Sequence, residues 1–245
     1  MTSRESTPFL PRALDDGRFR RDAANWAQVL AFGAIQWPWL LKSLWGGRAA
    51  DRVALLDRLG LAQDALPNLG SWKADVGFLT RLVDHVLAER PEQIVELGAG
   101  ASSLVLARAV QMAGRGRLTS YDQHGDFVAA TGRWIASHGL VADIRHAPLT
   151  DAPAGWPALW YDLAHLPEQI DLLVIDGPPW TYHPLVRGAA ETLFDRVAPG
   201  GTVMLDDAAR PGERLVALRW RKRWPQFAWQ FLPGIKGTLV GTRLT

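Results

Sequence analysis

Three groups of residues in this chain have types and spacings that can do chemistry. The first is a glycine loop, Val95-Glu96-Leu97-Gly98-Ala99-Gly100-Ala101-Ser102-Ser103. Glycines let a turn take backbone angles closed to other residues and let a ligand approach the main chain. A helix that follows offers free N–H groups and a positive dipole end. Such a loop suits two kinds of nucleoside cofactor. A dinucleotide calls for Gly-x-Gly-x-x-Gly, and Ser103 stands where the third glycine belongs. Glu96, two positions before Gly98, suits instead a ligand with a cationic aminoacyl end. The second group is Asp122 alone, 24 residues beyond Gly98. An acid that ends the second strand, about 20 residues past the loop, accepts hydrogen bonds from both ribose hydroxyls of either cofactor.

Asp176, Asp206 and Asp207 form the third group, each at the end of an apolar strand. Three converging carboxylates invite a hard divalent cation such as Mg²⁺, held by oxygen. Without a metal they repel, and at least one pKa should rise. The alternatives are that Asp176 meets only the cofactor, and that Asp206 or Asp207 caps a turn or pairs with Arg210. For proton removal the candidates are His183, Asp207 and Tyr161. His183, in Trp180-Thr181-Tyr182-His183 past Asp176, is the first choice, against a merely structural histidine. Trp160, Tyr161, Trp180 and Tyr182 either wall an acceptor pocket or pack in the core. Trp72 reads either as a lid or as a core residue.

These residues need a scaffold that brings them together, and the pattern supplies one. Short apolar runs at 93–97, 117–121, 141–146, 171–175 and 202–205 alternate with helical periodicity at 102–112, 127–138, 184–197 and 212–224. Strands that are apolar on both faces and separated by helices predict a doubly wound, mostly parallel α/β sheet. Two final runs, 226–232 and 238–242, are joined by a Pro-Gly turn, so one of them runs antiparallel. Upstream, 74–89 has the spacing of an amphipathic helix. Residues 25–70 read as helices interrupted at Pro38, Gly46-Gly47, Gly60 and Pro67-Asn68. The division is an N-terminal lead and Trp-rich extension over 1–69 and a nucleoside-binding domain over 70–245.

Composition sets further bounds. The 245 residues suffice for one large domain with an extension. There is no cysteine, which excludes disulfides, thiolate catalysis and cysteine-bound zinc. The net charge of +2 does not suggest a nucleic-acid partner. The lead lacks the basic-then-apolar order of a signal peptide, and the chain reads as cytoplasmic. Four of the 12 tryptophans lie between Trp26 and Trp45. That segment reads as short helices packed on the domain or on a second subunit of an oligomer, as an anchor at a membrane surface, or as a membrane span.

The Glu-Leu-Gly-Ala-Gly loop, Asp122, the Leu-Leu-Val-Ile-Asp-Gly run and the Ala-Pro-Gly-Gly-Thr-Val run together resemble class I S-adenosylmethionine-dependent methyltransferases over about residues 70–245. Ile-Asp-Gly-Pro-Pro and Leu-Asp-Asp-Ala-x-Arg narrow the resemblance to a bacterial group similar to family 24. It implies seven strands in the order 3-2-1-4-5-7-6, the last antiparallel. It implies S-adenosylmethionine held by Glu96, Gly98, Ala99, Gly100, Ser102, Ser103, Asp122, Gln123 and Asp176. The methyl acceptor expected is a small molecule or a glycan-related metabolite with an oxygen or nitrogen nucleophile. Metal-dependent relatives place a lysine three residues after the strand-four aspartate, where this chain has Pro179. Three other uses of the fold stay open: a non-catalytic scaffold acting through the Trp-rich extension, an NAD-binding protein, and transfer of an alkyl group other than methyl.

Overall fold

The computed structural model describes residues 23–71 and 73–245. The lead over 1–22 and the reading of Trp72 as a lid lie outside the described residues. The described residues form nine strands: β1 (Gln93–Leu97), β2 (Arg117–Asp122), β3 (Asp143–His146), β4 (Leu149–Asp151), β5 (Leu159–Tyr161), β6 (Ile170–Ile175), β7 (Val197–Leu205), β8 (Phe227–Leu232) and β9 (Thr238–Arg243). Seven make one sheet in the order β3-β2-β1-β6-β7-β9-β8. Counted within that sheet alone, the order is 3-2-1-4-5-7-6. β9 runs antiparallel to both neighbours and the remaining pairs are parallel.

The period of two along each strand sends side chains to two cores. Ile94, Leu172, Val174 and Met204 face one side, against α2 (Ala49–Leu59), α3 (Val76–Glu89), α4 (Ala101–Ala113) and α5 (Gly125–Ser137). Val95, Leu97, Leu173, Ile175, Val203 and Leu205 face the other, against a 3₁₀ helix at Val186–Arg196 and α6 (Pro211–Arg223). Asp75 caps α3 by accepting the Phe78 N–H at 2.9 Å, which fixes that helix at its start. Five of the tryptophans, Trp156, Trp160, Trp220, Trp224 and Trp229, pack in the second core.

Two elements differ from the sequence reading. Pro38 does not split the first helix: α1 runs from Ala23 to Ser43 with Pro38 inside it. Pro38 and Ala34 are both exposed, so the carbonyl that loses its partner faces water. The antiparallel pair β4–β5, which forms a second small sheet, is unanticipated. Its strands are three residues long and flank a segment rich in proline and glycine, too short for a period to register.

Candidate functional site

Strand register explains why residues so far apart in sequence meet. Leu97 pairs with both Tyr121 and Ile175, and Ile175 pairs with Leu205. The residues one step past these aligned ends are Gly98, Asp122, Asp176 and Asp206. Main-chain bonds lock them: Gly98 N–H donates to the Tyr121 carbonyl at 2.8 Å, and Asp176 N–H to the Leu97 carbonyl at 2.8 Å. A cavity opens along this rim. Gly98, Ala99, Gly100, Ser102, Asp122, Gln123, Tyr161 and Asp176 all border it.

Asp122 turns toward the glycine loop. Its carboxylate accepts the main-chain N–H of His124 at 2.9 Å and lies close to that of Ala99. Burial raises its pKa to about 7. Glu96 and Ser103 do not border the cavity; they lie directly beneath the loop. The Gly100 N–H donates to Ser103 Oγ at 2.9 Å, Ser103 Oγ donates to Glu96 at 2.5 Å, and Ser120 Oγ donates to the same carboxylate oxygen. Glu96 thus ties the loop and the first turn of α4 to β2. Burial lifts its pKa to about 7 against the pull of those serine hydroxyls. His146 shares a hydrogen bond at 3.0 Å with the Gln123 carbonyl.

The three aspartates at the far end of the rim do come together, each offering a ligand atom within 4.8 Å of the others. Their surroundings do not fit a metal. The Arg187 guanidinium forks between Asp207 Oδ2 at 3.0 Å and Asp176 Oδ1 at 3.2 Å. The other Asp207 oxygen meets Arg210 at 2.9 Å and Lys236 at 3.5 Å. Glu213 Oε1 stands 4.0 Å from Arg187. Four buried carboxyl groups therefore share three buried cations. Burial and the neighbouring Asp207 push the Asp206 carboxyl well above its usual range, which favours its neutral form. Neither oxygen of Asp206 has a hydrogen-bond partner among the described residues. Despite burial, Arg210 and Lys236 hold Asp207 well below the ordinary carboxylate range. Asp176 is lifted by burial to about 6, against the pull of Arg187.

Comparison with known proteins follows the same lines. Residues 95–208 match the family model of a methyltransferase domain, methyltransferase family 24. Over those residues, a little under half of the chain, it is similar to that family of methyltransferase domains. Solved structures share the fold. An O-methyltransferase from Bacillus cereus, in complex with S-adenosylhomocysteine, is 15% identical with a TM-score of 0.54, covering 88% of this chain and 99% of its own. A methyltransferase from Geobacter sulfurreducens is 18% identical with a TM-score of 0.52, covering 80% and 88%. No curated protein sequence matches the chain.

Of the three base candidates, only Tyr161 reaches the cavity. His183 is fully buried, and its Nε2 lies 2.6 Å from Gln28 Oε1 of α1 while its Nδ1 accepts the Leu185 N–H at 3.1 Å. It fastens α1 to the loop that follows Asp176. Asp207 is held by its cations. Burial, with Asp122 nearby, raises the Tyr161 pKa well above that of an ordinary phenol, so it stays protonated and does not serve as a base. Trp160 and Tyr182 are buried away from the cavity, and Trp180 faces Gly33 of α1. Sequence reasoning missed Arg187, Phe127 and Trp134, which all border the cavity. The need for a cation among three carboxylates was the signal that could have found Arg187.

Proposed function

We propose that this chain binds S-adenosylmethionine along the Gly98–Asp122 rim and transfers its methyl group, without a metal, to an oxygen or nitrogen of a small-molecule or glycan-related acceptor. The observation that carries the reading is Asp122 turned onto the glycine loop at the edge of an open cavity. Two buried polar atoms support it. Gln123 Oε1 and Tyr161 Oη have no hydrogen-bond partner among the described residues, and both residues border the cavity. Gln123 suits the adenine amine and Tyr161 a heteroatom of the acceptor.

When bound there, S-adenosylmethionine supplies an electrophilic methyl carbon on a cationic sulfur. The chain does the rest. Asp122 accepts the ribose hydroxyls, and the main chain of Gly98–Gly100 admits the methionine part closely. Phe127 and Trp134 give apolar walls that exclude water. Asp176, with its pKa near 6, accepts a hydrogen bond from the acceptor's O–H or N–H and takes that proton as the heteroatom bonds the methyl carbon and the sulfur leaves as a neutral thioether. A hydroxyl or amine acceptor both accepts and donates, so the Tyr161 phenol and the Asp176 carboxylate can orient it from two sides.

Calorimetry with S-adenosylhomocysteine and with NAD tests this. Binding of the first and not the second is expected, and the reverse pattern would overturn the reading. The pH profile is a sharper check. Ribose hydroxyls bond the ionised Asp122 better, so binding lowers its pKa from about 7 and expels a proton. Affinity should therefore fall about tenfold from pH 8 to pH 6. Asp122→Asn should weaken binding by about 100-fold, through two lost charge-assisted bonds, and flatten that profile. A profile as steep in Asp122→Asn as in the natural chain would place the titrating group elsewhere. Transfer of a labelled methyl group to a metabolite extract then separates an enzyme from a scaffold.

A further inference from the structure

α1 is fastened to the domain along one edge only. Val29, Gln36 and Ser43, spaced seven apart, are buried. Arg214 of α6 stands over the Trp39 ring, 5.9 Å from its centre. The outward side of α1 is apolar. Leu30, Trp37 and Leu41 are 66%, 58% and 54% exposed. At 3.6 residues per turn these three fall within about 40° of arc, so they make one continuous stripe. On α6, Leu215 and Leu218 are also exposed. Single exposed leucines are ordinary, but a continuous row with a tryptophan marks a surface that is covered in use.

Charge beside the stripe says by what. Arg214, Arg221 and Lys222 are exposed on the same side of α6, while its sole acid, Glu213, is buried. α1 carries Lys42 and no acidic residue. We propose that α1 and α6 form a face that docks on an anionic bilayer surface. The leucine–tryptophan stripe enters the boundary between headgroups and acyl chains, and the α6 cations lie over the headgroups. A second copy of the chain is the poorer occupant, because two-fold pairing of this face sets the α6 cations against their own copies. Among the described residues no helix is long and apolar enough to cross a membrane, so α1 lies along the surface. The face is also mechanically linked to the cavity. The His183–Gln28 bond and the approach of Gly33 to Trp180 join α1 to the loop that begins at Asp176.

Sedimentation of the full chain with vesicles tests the proposal. Binding is expected to vesicles of mixed phosphatidylcholine and phosphatidylglycerol, and not to phosphatidylcholine alone. Added salt should weaken it. Leu30→Glu with Leu41→Glu should abolish it, and Arg221→Glu with Lys222→Glu should weaken it at least about tenfold. Both double variants should keep the natural affinity for S-adenosylhomocysteine, which shows that the domain is intact. Absence of binding to the mixed vesicles overturns the proposal. So does binding that survives Leu30→Glu with Leu41→Glu. Analytical ultracentrifugation covers the other occupant: a dimer that dissociates in that same variant assigns the face to a second copy.

Discussion

Gly98→Ala is expected to lower affinity for S-adenosylhomocysteine by more than about 100-fold and to lower Tm by several degrees. Gly98 has φ of +96°, a conformation that costs an alanine free energy before any contact is considered. A Cβ built there lies 2.8 Å from the Gly177 nitrogen and 3.0 Å from the Asp176 carbonyl carbon. Both are main-chain atoms and cannot rotate aside. Relief requires the ends of β1 and β6 to part, which strains the 2.8 Å bond from Asp176 N–H to the Leu97 carbonyl. Overpacking of this kind costs about 1–3 kcal/mol. At about 2–4 °C per kcal/mol for a chain of this size, Tm should drop by about 5–10 °C. The larger effect falls on binding, because the atoms that move are the loop and Asp176, on two sides of the cavity. Calorimetry and a thermal melt read the two effects separately. Affinity within about fivefold of the natural chain would show that the rim tolerates displacement, and the proposed seat of the cofactor would have to move.

The rim was legible in the sequence because its signals are local. A buried strand is a short apolar run, and a glycine or aspartate that ends the run marks the sheet's functional edge. Gly98, Asp122 and Asp176 were each found this way, and parallel pairing did the rest by aligning the strand ends. What could not be read depended on long-range return of the chain. Arg187 lies in a stretch whose period reads as a surface helix, where a single arginine is ordinarily solvated. Its charge turns inward because Asp176 and Asp207, 11 and 20 positions away, are buried beneath it. Tyr161 rides on a three-residue strand with no period to detect. His183 looked like a loop base because nothing in its neighbourhood announces Gln28, which is 155 residues distant. Glu96 shows the same limit in reverse. Its position before the loop was informative, but only the packing distinguishes a residue that touches the ligand from one that holds the loop in place.

Arg187→Met should be the most destabilising single change in the site. It preserves much of the volume of the side chain and removes the charge that Asp176 and Asp207 share. Breaking a buried pair from one side costs about 3–5 kcal/mol, because the remaining charge is left desolvated. Tm should fall by about 10 °C or more. The loss also has a sign in pH. In the natural chain Asp207 is held below its ordinary range, so its contribution to stability is present above that range and lost as pH falls. In Arg187→Met, Arg210 and Lys236 still hold Asp207 down, but burial without the guanidinium raises Asp176 further. The deficit should then be widest at neutral pH and narrow toward pH 4, as protonation discharges Asp176. A divalent ion offers a second route to the same relief. Mg²⁺ should raise the Tm of Arg187→Met and leave that of the natural chain unchanged, and a chelator should not alter methyl transfer by the natural chain. Loss of transfer on chelation would show that the aspartates hold a metal after all, and that Arg187 yields its place to it. The contrast makes Arg187 the element that decides whether this rim works as a metal centre or as a self-neutralised cluster. One guanidinium, supplied from a helix on the second face of the sheet, supplies the positive charge that the carboxylates require.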